Sequence, residues 1–264
     1  MNSFKLVFVF CLIALTCSVR AQETVGDINI ITDRPDATES PNTVPIKSLQ
    51  IETGAFNDSY KDMNVTYETR GYNTTLLRYG LLERLELRVG WNFEEGKTKT
   101  DGIYDQDITS GFSPLLLGVK VEIVKENGLL PTIGLLGHLM LPFTAASDYR
   151  PETTGIDFRF SFGHTLCERS SIGYNIGAQW GDDSSEASYV YTLVYGYSIT
   201  KKLGAYAEVY GDIPEDNRAN HYWDVGLVYL VKNNFQLDAT LGRSFTEGQD
   251  LLISGGFSYQ LSFK

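Results

Sequence analysis

From Ile46 to the C-terminus, large apolar side chains recur at every second position. Leu85, Leu87, Val89, Trp91 and Phe93 share one parity, as do Leu115, Leu117, Val119, Val121 and Ile123. Ile156, Phe158, Phe160 and Phe162 follow, then Ile172, Tyr174, Ile176, Ala178 and Trp180. Tyr189 to Ile199, Trp223 to Val231 and Phe235 to Leu241 repeat the theme, and Phe257, Tyr259, Leu261 and Phe263 end it. Successive side chains of a strand point to opposite faces, so each row predicts a strand with one apolar and one polar side. The rows parse into strands at 46–57, 70–81, 85–95, 110–125, 130–143, 155–166, 171–181, 187–200, 203–213, 221–232, 235–246 and 251–263.

The connections alternate in length. Those at Leu82–Arg84, Lys125–Gly128, Cys167–Ser170, Thr200–Lys202 and Val231–Asn234 are tight. Those between them are mostly longer and acidic, including Glu94–Thr109, Thr144–Thr154 and Asp212–Asn220. An even number of two-faced strands, with tight turns at one end and long loops at the other, is the pattern of a transmembrane barrel. A soluble β-protein has no reason to alternate its loops. The expected fold is therefore all-β: a single antiparallel up-and-down barrel of about 12 strands over 46–264, with lipid outside. Aromatics near the ends of several rows suit the two bilayer interfaces. The last strand, ending at Phe263, is expected to pair with the first and close the barrel.

The leader sets the compartment. Lys5 precedes an apolar run from Leu6 to Leu15, and Val19 and Ala21 supply small residues, so 1–21 reads as a secretory signal cut after Ala21. A lipoprotein site at Cys17 is the competing reading. The leader carries Lys5 and Arg20 and no acid, so the 22 basic residues fall to 20 against 33 acids, a formal charge of −13. Such a chain is a poor partner for nucleic acid, whose phosphates call for Lys and Arg. Cys11 and Cys17 leave with the leader, so Cys167 builds no disulfide framework in the mature chain. Nowhere after the leader does an apolar run reach the length of a spanning helix. Between leader and barrel, 22–45 holds Pro35, Pro41 and Pro45 and suits no sheet ladder. It is expected to be an irregular segment, either a periplasmic arm or inserted in the lumen.

The polar faces supply the candidate lumen lining: Glu52, Arg70, Arg78, Glu86, Arg88, Lys120, Glu122, Asp157, Arg159, Glu208, Asp224 and Asp238. Mixed signs fit either a selective pore or an ion-paired, closed interior. Catalytic chemistry finds little support. Outer-membrane phospholipases carry a His-x-Ser pair, whereas His138, His164 and His221 have Met140, Leu166 and Trp223 two residues on. These histidines lie on separate strands without ligand spacing, and Asp101–Asp107 misses the EF-hand pattern, so no metal or cofactor is expected. Asn-x-Ser/Thr triplets at Asn57, Asn64 and Asn73 carry no argument.

One stretch is specific. Thr32-Asp33-Arg34-Pro35, then Ser40-Pro41, Val44-Pro45 and Gln50-Ile51-Glu52, resembles the start of the outer-membrane transporter family labelled for the MetA pathway of phenol degradation. The order of leader, motif and barrel matches throughout. Lys47 departs from it, because a glycine or similarly small residue is expected in that turn. The resemblance implies a barrel with a transport role, without establishing phenol as the solute. If the motif has a local task, Asp33 and Arg34 pair with oppositely charged lumen residues and hold the segment.

The expected protein is thus a bacterial outer-membrane channel for small solutes, aromatic or hydrophobic ones if the resemblance extends that far, working without cofactor or covalent chemistry. Its expected partners are outer-membrane lipid, the small-molecule solute and, during biogenesis, the barrel-assembly machinery. A structural or surface-interaction barrel with a filled lumen is the first alternative, and a lipid-modifying enzyme the second.

Overall fold

The computed structural model describes residues 29–181, 186–245 and 248–263. Its strands are β1 (Ser48–Asp62), β2 (Val65–Leu82), β3 (Leu85–Thr100), β4 (Ile103–Phe112), β5 (Leu115–Val124), β6 (Thr132–Leu141) and β7 (Gly155–Cys167). They continue as β8 (Ser170–Trp180), β9 (Ala187–Ser198), β10 (Leu203–Pro214), β11 (Asn220–Lys232), β12 (Phe235–Ser244) and β13 (Gly248–Ser262). Every strand-to-strand pairing is antiparallel, and β1 pairs with both β2 and β13, so the sheet closes on itself. Ser48 lies opposite Ser262 at the seam, as the closing strand's pattern predicts.

Twelve staves close the barrel and β4 is an extra strand. β3 pairs with β5 along Leu85–Gly90 and with β4 along Phe93–Thr100, so β4 and β5 together make one stave interrupted at Ser113-Pro114. Proline has no N–H to give a ladder. Ser113 mends the gap: its N–H donates to the Asn92 carbonyl (3.0 Å), and its Oγ accepts from the Asn92 N–H (3.1 Å).

The single strand expected over 110–125 is therefore split, and the loop expected over Glu94–Thr109 is a strand hairpin. Charged side chains there resemble a loop only because a hairpin standing in water needs no apolar face. Its order comes from cross-strand contacts, including the Lys99–Glu68 ion pair and a 3.1 Å bond from the Tyr104 hydroxyl to Glu68. Asp101 and Gly102 form its tip with φ of 52° and 81°, the conformation that an Asp-Gly hairpin turn favours. β1 and β2 likewise run past their expected limits to a tip at Met63.

The barrel is apolar outside and polar inside. Leu87, Val119, Ile176, Leu193, Leu227, Leu241 and Ile253 are exposed, whereas Arg78, Glu86 and Lys120 are fully enclosed. Aromatic pairs gather near both rims of the outer surface. Phe93–Phe112 (5.1 Å) and Phe158–Trp180 (6.1 Å) lie toward the loop end, and Phe162–Tyr174 (4.8 Å) and Phe235–Tyr259 (6.0 Å) toward the turn end.

Lys47 explains its own oddity. Its φ is 56°, in the left-handed region where glycine is at ease. Backbone bonds hold it there, from its N–H to the Gly80 carbonyl (2.8 Å) and from the Phe263 N–H to its own carbonyl (2.8 Å). This corner turns the N-terminal segment into β1.

Candidate functional site

Residues 30–45 lie inside the barrel as an irregular strap. A segment without a ladder must find other partners for its backbone groups, and wall side chains provide them. The Asp33 N–H donates to both carboxylate oxygens of Glu52 (3.2 and 3.1 Å). The N–H groups of Ala37, Glu39 and Val44 donate to Glu208 (2.7 Å), Asn175 (2.7 Å) and Glu86 (2.8 Å). Carbonyls of Ile31, Ser40 and Asn42 accept from Gln50 (2.8 Å), Lys120 (2.8 Å) and Arg78 (3.1 Å). The wall reads the strap as main chain, from β1, β2, β3, β5, β8 and β10 together.

Charge adds a second set of contacts. One Asp33 oxygen sits 3.1 Å from Arg78, 2.8 Å from Arg88 and 2.7 Å from Lys120. Burial works against that charge, but Arg78, Lys120 and Arg88 outweigh it and hold the Asp33 carboxyl well below the usual range. Glu39 takes Arg88 at 2.9 Å and Lys120 at 3.3 Å. Arg78 also binds Glu52 and Glu86 of the wall, both at 2.8 Å.

Arg34 points the other way, to Asp238 at 2.9 Å. Its guanidinium lies on Gly54 and Gly256, which face each other across the β1–β13 seam. A Cβ would come within 2.6 Å of Arg34 at Gly54 and 2.5 Å at Gly256, so the seam needs glycine for this close approach. The middle of the strap is held by the Thr38 hydroxyl, which reaches Thr192 (2.7 Å) and Glu208.

The candidate lining falls into groups. Glu52, Arg78, Glu86, Arg88, Lys120, Glu208 and Asp238 all touch the strap or its partners. Asp157 is turned to His138, whose Nδ1 lies 3.1 Å away. Glu122 sits at the turn end near Lys125 (3.8 Å) and Arg84 (3.9 Å), and Arg159 is half-buried on β7. Asp224 faces Glu208 across the β10–β11 pair.

Arg70 is the exception. Gly54 pairs with Thr74 but Phe56 with Gly71, so β2 holds an extra residue at this bulge, and such an insertion reverses its faces. Arg70 consequently leaves the lumen and bonds Asn57 (3.3 Å) on the hairpin. Reading by twos missed Glu39, Gln50, Asn175 and Thr192. The last three had a usable signal, a polar residue on an inward parity, whereas Glu39 sits where no periodicity applies.

The basic residues of β2, β3 and β5 thus stand opposite the acids of β10, β11 and β12. Asp36 lies on the acidic side. Burial and the nearby carboxylates of Glu208 and Asp224 push its carboxyl well above the usual range. Among the described residues, no group of three or more His, Cys, Asp or Glu has metal-holding geometry.

A cavity lies on each side of the strap. The one toward the loop end is about 530 Å³ and includes Asp33, Glu39, Arg88 and His138 in its lining. The other, toward the turn end, is about 410 Å³ and includes Thr32, Asp36 and Tyr206. Arg34 borders both, so the strap is the partition between them.

A family model described as "Putative MetA-pathway of phenol degradation" matches residues 32–262. No curated protein sequence matches the chain. Among solved structures it is similar to an outer membrane channel from Pseudomonas putida F1, at 16% identity and a TM-score of 0.63 over 84% of this chain and 98% of that one. It is also similar to the KdgM porin, at 10% identity and a TM-score of 0.54 over 81% and 99% of the two chains. The translocator domain of the autotransporter NalP from Neisseria meningitidis gives 10% and 0.51, over 80% and 88%. At these identities the likeness is one of fold.

Proposed function

The chain belongs to the family described as "Putative MetA-pathway of phenol degradation", and from that membership and the partitioned lumen we propose an outer-membrane channel for small solutes. Passage depends on the strap, 30–45, moving aside. One observation carries this reading. The strap shares no ladder with the wall beyond its hinge at Lys47, and a cavity waits on either side of it. Apart from one backbone bond at its start, from the Ile30 N–H to the Asn233 carbonyl (2.7 Å), the partition is held by side chains and opens without breaking the barrel; a filled β-core does not. The exposed apolar belt meets lipid, and the aromatic rims meet its interfaces. The last strand, β13, with Phe263 directly after it, is the element offered to the assembly machinery.

A filled structural barrel has one observation in its favour, the density of ion pairs around Asp33. Single-channel recording in planar bilayers separates the two, and pH sharpens the test. A carboxyl raised in the held state favours that state below its ordinary pKa, and the advantage is lost as pH rises through the raised value. Asp36 is such a group. Asp33 is the opposite case, favouring the held state until strong acid. Openings are therefore expected to become more frequent as pH rises through the raised value of Asp36. A bilayer silent at every pH would favour the filled barrel.

A further inference from the structure

Strand register builds two rows inside the barrel. Leu76, Gly90, Leu116 and Met140 are successive partners across β2, β3, β5 and β6. Two residues nearer the turn end, Arg78, Arg88, Gly118 and His138 are partners in the same way. An apolar ledge thus runs directly above a cationic row, and the 530 Å³ cavity is bordered by both. That volume lies in the range of small-molecule pockets, roughly 300–1,000 Å³.

Arg88 of this row, and Lys120 two residues nearer the turn end than Gly118, are occupied by the chain's own carboxylates. Arg88 and Lys120 hold Asp33 and Glu39, both on the strap. Further polar capacity is unspent. Arg88 Nε and His138 Nε2 are buried without a hydrogen-bond partner among the described residues, and both side chains border the cavity. Unsatisfied buried polar atoms are costly and rare, which points to a ligand or water that completes them.

We propose that Asp33 and Glu39 are tethered stand-ins for the carboxylate of the solute. The solute class is a small organic acid with an apolar body. Its body lies on Leu76, Leu116 and Met140, and its carboxylate replaces that of the strap on Arg88 and Lys120. Such an exchange keeps the charge balance of the lumen. An alcohol would leave the cations unpaired, and an ammonium would face them, each at a cost that grows with burial. This solute class rests on the channel reading, and binding of the solute would itself release the strap.

Calorimetry on the purified, folded barrel tests it with hexanoate, acetate, hexanol and hexylammonium as probes. Hexanoate is expected to bind, and acetate to bind more weakly by over about tenfold for want of the buried methylenes. Asp33→Asn removes the internal competitor and should tighten hexanoate by about tenfold or more. Arg88→Gln should abolish binding. If Asp33→Asn fails to give the folded, heat-modifiable band, Glu39→Gln carries the same expectation. Hexanol binding as well as hexanoate, no hexanoate binding in any protein, or affinity unmoved by the strap substitution would each overturn the proposal. Bilayer recording reads passage separately, so a channel that conducts but ignores hexanoate refutes only the solute class.

Discussion

Deleting residues 22–45 is expected to leave a folded barrel that is continuously open, with a several-fold higher single-channel conductance. Closure does not depend on the strap, because β1 and β13 are joined by an extended backbone ladder from Ser48–Ser262 to Lys61–Gly248. A twelve-strand lumen is wider than the filled eight-strand barrels and narrower than open sixteen-strand porins. Its present closure comes from the strap, and removing that partition joins the cavities of about 530 and 410 Å³. The deletion also takes Asp33 and Glu39 away from Arg88 and Lys120, and Asp33 from Arg78, while Glu52 and Glu86 remain beside the two arginines. The wall of β2, β3 and β5 then carries excess positive charge, so reversal potentials in a salt gradient should shift toward anions. A deleted protein that folds and conducts like the full chain would show that the strap does not control the lumen.

The second large effect is expected at Arg78. It is fully enclosed, and its guanidinium binds Glu86 through two nitrogens (2.8 and 2.9 Å), Glu52 at 2.8 Å and the Asn42 carbonyl at 3.1 Å. Arg78→Gln strands the Glu52 and Glu86 carboxylates and loosens the strap at both Asp33 and Asn42. Breaking a buried ion pair from one side costs about 3–5 kcal/mol, and with Arg88 still beside Glu86 the lower end of that range applies. Urea unfolding in lipid vesicles should show the loss as a lower midpoint, alongside more frequent openings in bilayers. Arg78→Lys restores the charge but not the planar fork, and should recover only part of the effect. An unchanged midpoint for Arg78→Gln would mean the cluster is spectator chemistry.

Much of this was legible in the sequence, because a barrel wall is periodic. The row from Leu115 to Ile123 places Lys120 and Glu122 inside by parity alone, and both are buried. The seam between the first and last strands follows from the same counting. Periodicity fails where the backbone departs from it. A single extra residue near Gly71 turns Arg70 out of the lumen, and Pro114 divides one stave into β4 and β5. The hairpins at Met63 and Asp101 carry no periodic signal because strands in water need no apolar face.

The strap was legible as a motif but not as a contact map. Asp33 and Arg34 stood out as charges beside prolines, yet nothing in their spacing distinguishes Arg88 from Arg159 as a partner. Gly54 and Gly256 lie some 200 positions apart in sequence, and only the closed seam brings them together under Arg34. Lys47 stands where the family-like motif calls for a small residue, and its positive φ supplies the reason.

The most direct test of the moving partition is to fasten it. Thr38 and Thr192 touch through their hydroxyls at 2.7 Å, one on the strap and one on β9. Thr38→Cys with Thr192→Cys, in a Cys167→Ser background, would let a disulfide tie them. Solute uptake into liposomes is then measured on one preparation, oxidised and afterwards reduced. Uptake should be near zero when oxidised and recover to the level of the Cys167→Ser parent on reduction. Equal uptake in both states, with the disulfide verified, would contradict a strap that must move for solute to pass.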